Sequence, residues 1–275
     1  MCRVIVFLIV AFGFIAGAAA QDVIILDSNR DLSADLSLSS DYGDCGDGTP
    51  SVSFSTEEPG FWHQFMHAQI SPPDFEWLHI VADGVQYSEI TEDGVTMHGY
   101  LDYDVDYDCG EPHNYDGSLQ SELRTRILVT APITLVLSGD FGVQLQNTWG
   151  DYIYMEASAH ILIDKLAAPI VYEDYIPLYL EGGSGTELLH EQPLSAVLDL
   201  TPGIYDISIA MEILVPMNYG YGMQQQLAEL SHVLQMEYLP QAAPPSCEFT
   251  DSDNDGDIDV RDFYFFQQCF SGPNP

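Results

Sequence analysis

Positive charge is what this sequence most lacks. Its 275 residues hold six lysines and arginines against 43 aspartates and glutamates, a formal net charge of −37. A surface with that field repels nucleic acid and anionic lipid, which proteins bind chiefly through Lys and Arg. It suits a saline, calcium-containing medium, where cations screen or bridge the carboxylates. Long apolar runs are also scarce: after the first 20 residues, no stretch approaches the roughly 18 apolar residues of a membrane span. Helical periodicity is nearly absent. So are a phosphate loop, a dinucleotide glycine fingerprint and a Gly-x-Ser-x-Gly elbow, and nothing local points to nucleotide or serine-hydrolase chemistry.

Residues 1–20 read as a secretory signal peptide. Arg3 precedes the apolar run Val4 to Ile15, and Ala18-Ala19-Ala20 offers small residues for cleavage before Gln21. The mature protein is therefore expected to be exported, secreted or held at the cell surface, with no transmembrane segment left. Cysteine usage agrees. Cys2 leaves with the signal, and Cys45, Cys109, Cys247 and Cys269 make an even set for an oxidising compartment. Four cysteines allow three pairings. The preferred one joins Cys45 to Cys109 and Cys247 to Cys269.

From Ser51 to about Pro240 the dominant period is two. Ile153, Met155, Ala157, Ala159, Ile161 and Ile163 alternate with Tyr152, Tyr154, Glu156, Ser158 and His160. The same pattern runs through Ile133-Leu135-Leu137 and Tyr205-Ile207-Ile209-Met211-Ile213-Val215, as half-buried strands require. Turn signals are placed at Asp83-Gly84, Asp93-Gly94, Gly139-Asp140, Gly182 to Gly185 and Pro202-Gly203. Short strands so punctuated predict a mostly β fold over 21–240, an antiparallel, jelly-roll-like β-sandwich. Met223 to Tyr238 is ambiguous: Met223, Leu227 and Leu230 fit a helix, whereas Leu230 to Tyr238 alternates as a closing strand. Residues 21–50 give little pattern beyond Val23 to Leu26. Residues 241–246 form a Pro-rich, semi-rigid linker.

Within the body, Asp102, Asp104, Asp106 and Asp108 alternate with Leu101, Tyr103, Val105 and Tyr107, placing four carboxylates on one strand face. They are either a second cation site or acid pair, or a solvated outer face. His63 and His67 share a face on a helix or a strand, but Gln64 stands where a zinc-protease motif needs Glu. Jelly-roll sandwiches often hold glycans through exposed rings and carboxylates. The candidates are Trp62, Trp77, Trp149 and, in the glycine-flanked stretch Asn218 to Gly222, Tyr219 and Tyr221.

One stretch specifies a ligand by spacing. Asp251, Asp253, Asp255, Asp259 and Asp262 occupy positions 1, 3, 5, 9 and 12 of a twelve-residue loop. Gly256 stands at 6, Asp257 at 7 to offer its carbonyl, and Ile258 at 8. Calcium takes six to eight oxygens, so such a loop must turn its odd positions around one point and bend sharply at a glycine. Val260, Phe263, Phe266 and Phe270 then recur at helical spacing. Residues 247–270 resemble a type I dockerin repeat: position 12 is Asp, and a helix follows the loop with no obvious one before it. The resemblance implies Ca2+ as ligand and a cohesin-like or other surface protein as partner. Dockerins normally carry two repeats, whereas here there is one.

The domains expected are a signal peptide (1–20), a β-sandwich (21–240), a linker (241–246) and a calcium loop-helix tail (247–275). The function expected is a non-catalytic, calcium-binding exported protein whose tail serves assembly or surface attachment and whose sandwich binds extracellular polysaccharide. The alternatives are an extracellular glycoside hydrolase, because paired acids leave no local motif, and a structural cell-envelope protein.

Overall fold

The computed structural model describes residues 22–40, 48–71, 79–150 and 152–241. The signal peptide, Cys45, Trp77 and everything after 241 lie outside the described residues, as do the side chains of Ser40, 107–113, Met217 and 219–223. The chain divides into two compact units, Met1–Leu239 and Pro240–Pro275.

The alternation seen in the sequence becomes ten strands among the described residues: β1 (Val23–Ser40), β2 (Ser51–Thr56), β3 (Gly60–Ile70), β4 (His79–Ile90), β5 (Gly94–Val129), β6 (Ile133–Trp149), β7 (Ile153–Lys165), β8 (Ile170–Gly182), β9 (Thr186–Leu200) and β10 (Gly203–Pro240). Two antiparallel sheets pack face to face, which is the expected sandwich. Its organising element is a ribbon. β5 and β10 pair antiparallel from Gly94↔Glu237 to Val129↔Gly203. Between them they thread both sheets: sheet I runs β3-β4-β5-β10-β6-β9, and sheet II runs β2-β1-β5-β10-β7-β8. The ribbon changes sheet between Asp106 and His113 on β5, where β4 gives way to β1 as neighbour. On β10 the register shifts at Val215/Asn218 and again at Gly220/Gly222. An extra residue in one strand bends and twists it, which is what a ribbon needs at a corner.

Inward positions fill one core. Leu119, Leu123, Ile207, Ile209 and Met211 of sheet II face Met97, Leu101, Leu135, Leu145 and Leu230 of sheet I, all buried. Each such side chain contributes about 1.5 to 3 kcal/mol through burial. One polar pin crosses the sandwich: Ser121 donates from Oγ to Gln86 Oε1 at 2.9 Å. The only buried arginine among the described residues, Arg30, donates to the carbonyls of Gly60 (2.8 Å) and Glu58, and lies 6.0 Å from the Trp62 ring.

Several turn signals are confirmed. Thr91 and Gly94 exchange backbone hydrogen bonds (2.9 and 3.3 Å) at the β4–β5 hairpin, and 183–185 and 201–202 connect β8 to β9 and β9 to β10. Two are corrected. Asp83-Gly84 lies inside β4 and Gly139-Asp140 inside β6. A Cβ on Gly84 would come within 2.8 Å of Met66 Cε and 3.2 Å of Leu32 Cδ1, so this glycine lets the two sheets approach. A Cβ on Gly139 would meet the Val233 carbonyl oxygen at 2.1 Å, so that one lets two strands approach. The helical option for the start of 223–238 is also excluded, because β10 stays paired to β5 from Gln224↔Tyr107 onward.

Candidate functional site

Residues that the sequence suggested separately meet on the outer face of sheet I. β3 is a strand, so His63, Phe65 and His67 point outward together. Cross-strand register then builds rows over β3, β4, β5 and β10: His63, Tyr87, His98 and Val233; next Phe65, Val85, Tyr100 and Ser231; next His67, Asp83, Asp102 and Glu229. The first row is a stack, with ring centroids 4.0 Å apart for His63 and Tyr87 and 4.8 Å for Tyr87 and His98. The third is a row of acids capped by a base, with His67 Nδ1 2.6 Å from Asp83 Oδ1.

Asp102 is the electrostatic focus. Burial, then Glu229, Asp104 and Asp83, push its carboxyl up to about 6. Its Oδ1 is buried and has no hydrogen-bond partner among the described residues. Asp104 is also raised, mainly by burial, and is partly relieved by His79 at 3.6 Å. The ring hydroxyl of Tyr100 is raised by burial and by Asp83 and Asp102. Within this row Asp102 is thus the carboxylate that lacks both solvent and a donor.

These groups line a groove. A hollow of about 500 Å³ crosses β5, β10, β6 and β9, with Tyr100, Asp102, Gln144, Leu189, Glu191 and Glu229 on its walls. A second, of about 470 Å³, shares Tyr100 and Ser231 with it and extends to Tyr87, His98 and Val233. Tyr100 therefore stands between two linked hollows, one acidic and one aromatic. An elongated groove of this kind presents acceptors to hydroxyl donors and ring faces to C–H surfaces.

No protein family model matches the chain, and no curated protein matches it. Among solved structures, the enzymatically active domain of tailspike protein 4 of bacteriophage CBA120 is 10% identical at a TM-score of 0.18, covering 72% of this chain and 19% of its own. The chain thus spans about a fifth of that tailspike's length. A chain of the Gx strain of infectious bursal disease virus is 9% identical at a TM-score of 0.20, covering 90% and 78%. A carbohydrate-binding module of the β-sandwich superfamily is 10% identical at a TM-score of 0.18, covering 82% and 89%. At such TM-scores, none of the three bears on the role of this chain.

The remaining sequence candidates fall as follows. Asp106 shares the outward face with Asp102 and Asp104, while the Asp108 side chain lies outside the described ones. Among the described residues no group of three or more His, Cys, Asp or Glu is arranged to hold a metal ion. Trp62 is half-buried against the core, and Trp149 is exposed at the end of β6. Tyr219 and Tyr221 lie within β10 rather than in a loop: Tyr219 pairs with Asn114 where the ribbon turns its corner, and the register shifts beside the neighbouring glycines. Cys109 stands opposite Gly222 in the same corner. Asp251, Asp253, Asp255, Asp257, Asp259, Asp262, Cys45, Cys247 and Cys269 lie outside the described residues, and with them both disulfides and the tail helix. Tyr100, Gln144, Glu191 and Glu229 escaped sequence reasoning. Only the outward parity of Glu229 on the expected closing strand hinted at its place.

Proposed function

We propose that this chain is an exported, non-catalytic glycan-binding β-sandwich whose groove on sheet I holds the sugar, with a calcium-binding tail for attachment. The observation that carries the glycan reading is the groove: Tyr100 standing beside Asp102, whose buried oxygen lacks a donor, next to Glu229 and within one hollow with Gln144 and Glu191. A pyranose offers what this surface lacks, with hydroxyls to donate to the carboxylates and a C–H face for the ring. The net charge of −37 selects for neutral glycans, since uronates or sulfates would be repelled. A glycan array followed by calorimetry on the hits tests this. Tyr100→Ala and Asp102→Ala should each weaken binding about 30-fold, the scale of a binding hot spot. An array without neutral-glycan hits, or variants that bind as wild type does, would sink it.

The tail reading rests on the spacing of Asp251, Asp253, Asp255, Asp257, Asp259 and Asp262. Those residues would hold Ca2+, which would neutralise their mutual repulsion and order the helix after them. Titrating the full chain with calcium should release heat and raise its thermal midpoint, and Asp251→Ala with Asp255→Ala should abolish both. Heat that survives the double variant would refute the loop. The partner suggested for the tail is a cohesin-like or other surface protein.

A second reading has one observation in its favour. Asp102 and Glu229 are direct cross-strand neighbours, so their Cβ atoms lie on the order of 5 Å apart, and one carboxyl is held near 6. A neighbouring carboxyl pair of which one is held protonated to higher pH is what a retaining glycoside hydrolase requires. Release of reducing sugar that is lost in Glu229→Gln would favour the enzyme, and binding without release the module.

A further inference from the structure

The opposite face of the sandwich carries a different aromatic feature. On β8, the outward residues are Glu173, Tyr175, Pro177, Tyr179 and Glu181. Tyr152, Tyr175 and Tyr179 are 64%, 53% and 61% exposed, although rings of this size are usually more covered. They are held in place. Tyr179 stacks on Tyr154 with centroids 6.3 Å apart and planes 18° from parallel, and Tyr175 meets His160 edge-on at 5.5 Å. Tyr154 donates to Glu156 at 3.2 Å, and Tyr152 shares a hydrogen bond with Glu181. His160 is itself 3.2 Å from Glu173.

The rings are also in line. Tyr175 and Tyr179 are four residues apart on one strand, about 14 Å, and Tyr152 lies just past the position opposite Glu181, so the stripe extends about 27 Å. That is a polymer's dimension, and among the described residues none of the three rings lines the hollows noted on sheet I. Fixed rings in a row, alternating with carboxylates that accept hydroxyl hydrogen bonds, match an extended neutral polysaccharide. The overall negative charge excludes a polyanion, as it does for the groove.

We infer that Tyr175, Tyr179 and Tyr152 form a second, open platform that binds the surface of a neutral polysaccharide, on the face opposite the groove. This rests on the glycan reading for the class of ligand, but not for the site. The test is retention of the full chain on insoluble cellulose, chitin and mannan, run beside calorimetry with soluble oligosaccharides. Tyr175→Ala with Tyr179→Ala should lower the partition coefficient on the retaining polymer at least tenfold and leave oligosaccharide binding unchanged. Tyr175→Phe with Tyr179→Phe keeps the rings and should keep retention. An alanine variant retained as well as wild type overturns the platform, as does a wild type that none of the three polymers retains. Retention that depends on the tyrosines without any oligosaccharide binding leaves the platform standing and removes the groove.

Discussion

The two halves of β10 meet one core from opposite sides and are built differently. Its first half, in sheet II, turns Tyr205, Ile207, Ile209, Met211, Ile213 and Val215 inward. Its second half, in sheet I, turns Gln224, Gln226 and His232 inward among the apolar residues, and neither ring nitrogen of His232 has a partner among the described residues. The outer faces differ in the same sense. Sheet II has the larger hollow, about 690 Å³, yet both arginines lining it are paired: Arg126 forks onto Asp206 at 2.6 and 3.1 Å, and Arg124 bonds Glu122. Sheet I has the smaller groove and leaves Asp102 short of a donor. Unmet polar demand collects on the side where a ligand can meet it, which is where local conflict in a folded chain is expected. Size of the hollow is the poorer guide.

The sharpest way to break the comparison is at His232. Burial, then His98, lowers its pKa to about 3, so the imidazole stays neutral when folded and is protonated once unfolded. Native stability should fall as pH drops below the unfolded value near 6.5, by up to about 1.4 kcal/mol per pH unit until the folded pKa is reached. His232→Leu should remove that dependence and also relieve two unbonded nitrogens. Urea melts at pH 4.5 and 7.5 should therefore show a gain over wild type that is about 2 to 3 kcal/mol larger at the lower pH. Equal gains at both would mean that the ring is solvated in the folded chain.

A smaller effect sharpens it. Asp102→Asn and Asp206→Asn make the same chemical change on the two outer faces. The Asp102 carboxyl is raised from 3.8 to about 6, so the folded chain holds its proton more tightly, and ionising it costs stability that builds up as pH rises from about 3.8 and is complete above about 6. Asp102→Asn should raise the thermal midpoint by about 1 to 3 °C at pH 7.5 and by nothing below pH 4. Asp206→Asn removes an exposed ion pair, and such pairs contribute little. Its midpoint should move by less than about 1 °C at either pH. Equal shifts for the two would erase the distinction between the faces.

Sheet II was the more legible in the sequence. β7 and the first half of β10 alternate cleanly because one side is core and the other water. β1 was missed although Leu32, Ala34, Leu36 and Leu38 turn inward in strict alternation, because its outward Asp and Ser residues resemble a loop. Asp83-Gly84 misled for a physical reason: glycine serves tight turns and close packing alike, and composition does not say which. Asp102, His63 and His67 were identifiable as candidates, but their rows were not, since Glu229 reaches Asp102 only through a pairing between strands far apart in the sequence. The groove belongs to strand order, and strand order is non-local.

The ribbon also has a mechanical meaning. β10 is the last strand among the described residues, and it carries Glu229 and Ser231 of the groove. A pull on the C-terminal segment enters at Pro240 and travels along a strand that β5 grips over its full length. The load is then borne in shear by many backbone bonds at once.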